Sequence, residues 1–217
     1  MPSSSPHLIG KVIQSIITLN PKSVLDLGSG FGKYGLLCRE YIDLPADRAY
    51  GKFKRRIDSI EAFKKYKTPL YNYVYDHVYF GDAIEILKKN KFKYDLVVFI
   101  DVLECLNKKN GKALIEEILK NSEGLLMSIP KVIWNEKAEF GNPYEIFRGE
   151  WTRKELKSFG PSLIIEDYFN YLVYIGPKEK VRDLKRKMFR KQVKKILYSL
   201  PFSTQVRRFL TGFKNEK

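Results

Sequence analysis

Four carboxylates stand at the ends of four short apolar runs, and the first of them opens a run of glycines. Asp26 begins "DLGSGFGKYG", Glu61 follows "IDSI", Asp82 follows "HVYFG", and Asp101 follows "YDLVVFI". Glycine at a strand end lets the backbone approach a ligand closely and take conformations that a Cβ forbids. Read from Gly30, the glycines spell G-x-G-x-x-G, a dinucleotide fingerprint; read from Asp26, they spell D-x-G-x-G-x-G through Gly28, Gly30 and Gly32. In a dinucleotide site the helix N-terminus receives a pyrophosphate, which a carboxylate two residues before the first glycine repels. A cofactor with a sulfonium and an ammonium, and no phosphate, finds Asp26 favourable. A phosphate-binding P-loop fails on spacing: Gly28 to Lys33 is one residue short, and Tyr34 replaces the magnesium-binding hydroxyl.

The hydrophobic pattern supplies the scaffold these residues need. Leu8, Ile9, Val12, Ile13, Ile16 and Ile17 recur at helical spacing and predict an opening amphipathic helix. "SVLDLG", "IDSIEAF", "HVYFGDA", "YDLVVFIDVL" and "GLLMSIP" read as five strands. Helical stretches alternate with them: "KYGLLCREYI", a turn after Pro69, "AIEILKKN" and "NGKALIEEILKNS". The polar segment "DLPADRAYGKFKRR" reads as a surface insertion. Residues 130–150 have no clean period and form a long loop at a strand end, where ligands bind in such sheets, so a substrate cover is expected. Thr152 with Glu155 is a helix-start signature, and "SLIIEDYF" with "YLVYIGP" forms a hairpin. The sum is an α/β, Rossmann-like fold: a seven-stranded, mostly parallel sheet with an antiparallel terminal strand and helices on both faces.

A 217-residue chain with 44% hydrophobic residues can bury one domain core. No apolar run approaches the ~18 residues of a membrane span, and the N-terminus lacks a signal-peptide pattern, so a cytoplasmic location is expected. Cys38 and Cys105 lack metal or disulfide spacing and read as buried thiols, with no metal site indicated. The net charge of +15 is uneven. Residues 178–217 hold 14 Lys/Arg against 3 Asp/Glu, while the preceding residues hold 26 against 22. The division is a domain over 1–177 and a basic tail over 178–217. A nearly balanced body does not present the basic face of a dedicated nucleic-acid binder.

"VLDLGSGFGKYG", "IDSIEAF", "FGDAIEIL" and "YDLVVFIDVLECL" fall in order at four successive strand ends, and together they resemble the class I S-adenosylmethionine-dependent methyltransferases over residues 8–176. The resemblance implies S-adenosyl-L-methionine as cofactor. It places Asp26, Gly28, Gly30 and Gly32 around the methionine part and Glu61, in preference to Asp58, on the ribose hydroxyls. Asp82 would take the adenine amino group beside the backbone of Ala83, and Asp101 would line the methionine end and the substrate entrance.

Methyl transfer from a sulfonium proceeds by in-line attack, and a hydroxyl acceptor must lose its proton. Histidine is the usual base near neutral pH, but this chain has only His7, in the amino-terminal segment, and His77, at the start of the third strand. Relatives by resemblance often read D-V-L-E-H after strand four; this chain has Cys105 in the last position. The base or substrate orienter is therefore sought among Asp101, Glu104, Glu145 and Glu150, with Glu104 and Glu145 preferred. Tyr144, Arg148 and Trp151 are the expected substrate-binding residues, Arg148 pairing with an anionic group. The Asn142-Pro143-Tyr144 triplet follows strand five, not strand four, and carries no implication of base methylation.

In the tail, Val181, Leu184, Met188, Val193, Ile196, Leu197 and Leu200 alternate with lysines and arginines, and Val206, Phe209, Leu210 and Phe213 follow Pro201. A basic amphipathic helix of this kind lies on an anionic membrane surface, docks on its own domain or a second subunit, or holds RNA. The resulting expectation is an O-directed methyltransferase acting on a small molecule, sugar or lipid-linked glycan, peripheral at the inner membrane face where the tail binds lipid. The alternatives are an RNA methyltransferase using the tail and a catalytically lapsed cofactor-binding module; the oligomeric state stays open.

Overall fold

Helix α1 (Pro6–Leu19) buries Leu8, Val12, Ile13 and Ile16 and stops at Asn20, whose left-handed φ of 51° turns the chain toward Pro21. The computed structural model describes residues 6–47, 52–90, 92–132, 138, 141–166 and 168–199, and of 46, 47 and 195–199 it describes the backbone alone. The chain continues through β1 (Ser23–Leu27), α2 (Lys33–Cys38), a π-helical turn at Arg39–Asp43, α3 (Leu44–Asp47), β2 (Arg56–Glu61) and α4 (Leu70–Val74). Then follow β3 (His77–Phe80), α5 (Ala83–Lys89), β4 (Leu96–Ile100), α6 (Lys108–Asn121) and β5 (Leu125–Pro130). The chain closes with α7 (Arg153–Lys157), β6 (Ser162–Glu166), β7 (Asn170–Ile175) and α8 (Lys178–Ser199).

The strands form one sheet in the order β3-β2-β1-β4-β5-β7-β6. β1 to β5 run parallel, and β7, the last strand in the chain, is inserted antiparallel between β5 and the edge strand β6. Side chains alternate between two cores. Val24, Leu96, Val98 and Ile100 meet α1, α2 and α4, while Leu25, Leu27, Val97 and Phe99 meet the face that carries α5, α6 and α7. Burial on both faces explains why these strands read as continuous apolar runs. The chain crosses between β1 and β4, so their carboxyl ends leave a crevice there. Thr152 and Glu155 form the expected capping box at α7.

One segment differs from its expected role, and for the tail one of the expected alternatives is seen in part. The polar stretch after strand one is anchored to the core at its start, not laid over the surface. Arg39 and Asp43 form an ion pair at 2.7 Å with side chains 1% and 0% exposed, and the Arg39 guanidinium also donates to the carbonyls of Val74 and Arg55. Residues 48–51 lie outside the described residues. The first half of α8 docks on the domain: Leu184 is 1% exposed, and Val181 and Met188 pack against the first core. The apolar residues expected beyond Ser199 lie outside the described residues. No described helix is long and apolar enough to cross a membrane.

Candidate active site

The carboxyl ends of β1 to β5 surround one cavity of about 970 Å³. Gly28 and Gly30 line it after β1, Glu61 after β2, Asp82 and Ala83 after β3, and Asp101 and Glu104 after β4. Tyr144, Glu145 and Arg148 line it from the loop after β5. Sites for single small ligands span roughly 300–1,000 Å³, so this cavity lies at the upper end and has room for two ligands in contact. A smaller surface groove at the opposite edge, near Lys22 and Asp95, holds none of the expected site residues.

The glycine turn needs its glycines. Gly28 has φ 74°, and a Cβ there would stand 2.5 Å from Cγ2 of Val102, itself a wall of the cavity. Gly30, at φ 55°, donates its amide to Oε2 of Glu61 at 2.9 Å, and the amide of Phe63 donates to Oε1 at 2.8 Å. Burial pushes the Glu61 carboxyl above its usual range, and these amides act against the rise. The result is an oriented carboxylate at the cavity wall, suited to accepting from two adjacent hydroxyls. Asp58 is placed differently: it is fully buried and engaged by Tyr94, Arg56 and His77.

Asp26 does not line the cavity, contrary to its expected place around a ligand. Its Oδ2 accepts from the Gly35 amide at 3.0 Å and from the Tyr75 hydroxyl at 2.6 Å. β1 turns this side chain toward α2 and α4, so the carboxylate caps the first turn of α2 from behind. An anion already occupies the amide a pyrophosphate would need, which argues against a dinucleotide by contact and not only by field. Gly32 likewise lies outside the lining, as the left-handed residue before α2.

Burial raises the Asp26 carboxyl to about 6. A folded-state value above the unfolded 3.8 gives stability that is present below 3.8 and lost as pH rises through 6, in total about 3 kcal/mol. Asp26→Asn, which keeps an acceptor for Gly35 and Tyr75, is expected to lose this slope. Urea denaturation at pH 4 and pH 8 checks it, and a slope retained in the variant refutes the assignment.

Asp82 caps α5, accepting from the Glu85 amide at 3.0 Å, and lines the cavity at the same time. Asp101 takes a left-handed φ of 54°, tolerated by aspartate better than by most residues, and accepts from the Ser128 hydroxyl of β5. Lys33, inside the glycine run, also lines the cavity: burial lowers its ammonium, and the charge of Asp101 raises it.

The loop after β5 is tied down on two sides. On one, the amides of Arg148 and Gly149 donate to the carbonyl of Glu104 at 2.8 and 3.1 Å. On the other, the Tyr66 hydroxyl donates to Oε1 of Glu145, with Tyr66 packed edge-on against Phe31 and Phe63. Glu104 and Glu145 are both buried, and the charges of both push the Cys105 thiol up after burial itself. Residues 133–137, 139 and 140 of this loop lie outside the described residues.

Three expected roles need correction. Trp151 packs on Gly111 and Leu103 in the second core and is not in the lining. Arg148 lines the cavity but donates to the carbonyls of Cys105, Ile146 and Pro143, so it staples the loop where an anion contact was expected. Glu150 is exposed and outside the lining. His77 binds Asp58 away from the cavity, whereas His7 stacks on Phe169 at 6.2 Å, and Phe169 and Pro6 both line the cavity. Tyr66 sits in no periodic segment with the other site residues, whereas Lys33 lies in the glycine run and Phe169 at the end of "SLIIEDYF", where nothing local marks them as cavity-facing.

No family model and no curated protein sequence matches the chain. Solved structures do. The methyltransferase domain of bacterial CtHen1 is 18% identical, with TM-score 0.50 over 77% of this chain and 96% of its own. The N-terminal domain of EvdMO1, in the presence of SAH and D-fucose, is 13% identical, with TM-score 0.58 over 80% and 84%. A Nostoc punctiforme protein titled a putative O-methyltransferase is 18% identical, with TM-score 0.53 over 77% of this chain and 56% of its own. The sheet order and these likenesses together give the chain the Rossmann-like fold found in methyltransferases.

Proposed function

We propose that this chain is an S-adenosylmethionine-dependent methyltransferase that acts on a hydroxyl oxygen of a small molecule, sugar or lipid-linked glycan. The observation that carries the reading is the convergence of four strand ends, with Gly28 and Gly30, Glu61, Asp82 and Asp101, on one cavity that Glu104 and Glu145 also line. The residues fit the cofactor. Glu61 suits a ribose diol, Asp82 with the Ala83 amide suits an adenine edge, and Ile84 and Leu106 offer apolar surface for the ring. The fold neighbour solved in the presence of SAH and D-fucose is in keeping with this reading.

When bound, S-adenosylmethionine supplies an electrophilic methyl group on a positively charged sulfur. Asp101 and Glu61 both line the cavity, and Asp101 would face the methionine end of the cofactor while Glu61 would hold the ribose. Glu145, oriented through Oε1 by the Tyr66 hydroxyl, takes the proton of the acceptor hydroxyl as its oxygen attacks. Glu104, in the turn after β4 whose carbonyl anchors the loop of Glu145, orients the acceptor. Five carboxylates line the cavity against the cations Lys33 and Arg148, a field that opposes a polyanionic acceptor and disfavours the RNA reading.

Titration calorimetry tests the cofactor. S-Adenosylhomocysteine should bind, and Glu61→Ala, which removes two charged hydrogen bonds of about 1.5–3 kcal/mol each, should weaken it at least about 100-fold. Tight NAD binding without a response to S-adenosylhomocysteine refutes the proposal.

A further inference from the structure

We infer that the carboxyl edge of the sheet, together with the outer half of α8, is a docking surface for an anionic lipid bilayer. Nine large apolar side chains are exposed among the described residues. Five stand at this one edge: Phe31 in the glycine turn, Val132 and Tyr144 after β5, and Tyr168 and Phe169 in the turn between β6 and β7. Tyr168 is 86% exposed, although Asn170, two residues on at the start of β7, is 5% exposed. Two more, Phe189 and Val193, lie four residues apart on α8 and so share one helix face.

The direction of α8 joins these two groups. Lys180 lies beside Leu19 and Asn20 at the end of α1, Met188 contacts Ser15, and Lys191 bonds Gln14, so α8 runs antiparallel to α1. From Met188 to Ser199 the helix advances about 16 Å, and from Ser15 back to Pro6 α1 covers about 14 Å. The end of α8 therefore points to the edge where Pro6 lines the cavity.

The charge on this half of the helix is one-sided: residues 185–194 carry six Lys/Arg and no Asp/Glu, and all six are exposed. Exposed apolar side chains at one edge, and two more on a helix with six exposed lysines and arginines, match the interface of an anionic bilayer. RNA fits less well, because the rim encloses a cavity lined by five carboxylates. A bilayer stays at the rim and does not enter. This surface would bring the cavity mouth to a lipid-borne acceptor, a step that rests on the methyltransferase reading; the docking itself does not.

The test uses the full chain with vesicles of equal parts phosphatidylcholine and phosphatidylglycerol, and of phosphatidylcholine alone. Sedimentation should show partition onto the anionic vesicles only. Lys187→Glu with Arg190→Glu and Lys194→Glu should weaken it at least about 100-fold, given about fivefold per cation. Cys38 and Cys105 are buried, so a polarity-sensitive dye can be placed on Tyr168→Cys, or on Tyr41→Cys in the π-helical turn after α2 as control. Its emission should shift to the blue on anionic vesicles at position 168 and not at 41. Equal partition onto both vesicle types overturns the proposal. So does binding without a shift at position 168, or displacement from vesicles by stoichiometric single-stranded RNA. Retained S-adenosylhomocysteine binding by the triple variant shows that it is folded, and reports the cofactor reading separately.

Discussion

Glu145→Gln is expected to lower the rate of methyl transfer by about 10²–10⁴-fold while leaving S-adenosylhomocysteine affinity nearly unchanged. Glutamine has the same shape and still accepts from Tyr66, but it cannot take a proton. The position suits a base because both ends of its environment are fixed. The Tyr66 hydroxyl holds one oxygen, and the backbone of residues 148 and 149 is anchored to the Glu104 carbonyl. Initial rates with a radiolabelled methyl donor over a panel of hydroxylated sugars and phenols, together with calorimetry, provide the measurement. Tyr66→Phe should give a smaller loss, since it frees the carboxylate without removing it. If Glu104→Gln abolishes transfer and Glu145→Gln does not, the two residues exchange roles. If neither affects transfer, carboxylate catalysis is wrong.

Arg39→Met is expected to cost about 3–5 kcal/mol of folding stability, because it removes one partner of a buried ion pair and leaves the other. The Arg39 side chain is 1% exposed and also pairs with Asp76 at 3.0 Å, while its carbon-nitrogen plane lies 4.3 Å from the Phe53 ring. Its partner Asp43, also buried, accepts from the amides of Lys54 and Arg55. One guanidinium thus connects the end of α2, the last carbonyl of α4 and the entry to β2. Urea unfolding followed by circular dichroism measures the loss. Arg39→Met combined with Asp43→Leu should recover part of it, since no charge then remains buried alone. A single variant within 1 kcal/mol of wild type would show that the pair is solvated.

The strand ends were legible because their signals are local. An apolar run that stops at glycine or aspartate marks its own carboxyl end, and four such ends in one parallel sheet must lie side by side. Glu61, Asp82 and Asp101 reach the cavity for that reason. Asp26 was legible as a residue and not as a contact. Its place on β1 was clear, but its partners Gly35 and Tyr75 come from α2 and the end of α4. Trp151 failed in the same way: it borders the loop in sequence, yet its cavity-facing prospects end at Gly111, where the missing Cβ makes room for its ring. The tail's apolar spacing was legible, while its division into a docked half and an exposed half was not.

The order of elements, the glycine turn and the identity of the strand-end carboxylates follow from the sequence alone, because hydrophobic period and backbone freedom act over a few residues. Tertiary structure decided which side chains meet across the cavity. Tyr66 reaches Glu145 across 79 residues of chain, and Arg148 reaches the Cys105 carbonyl across 43. Such contacts depend on how separate elements pack, and no local pattern encodes them.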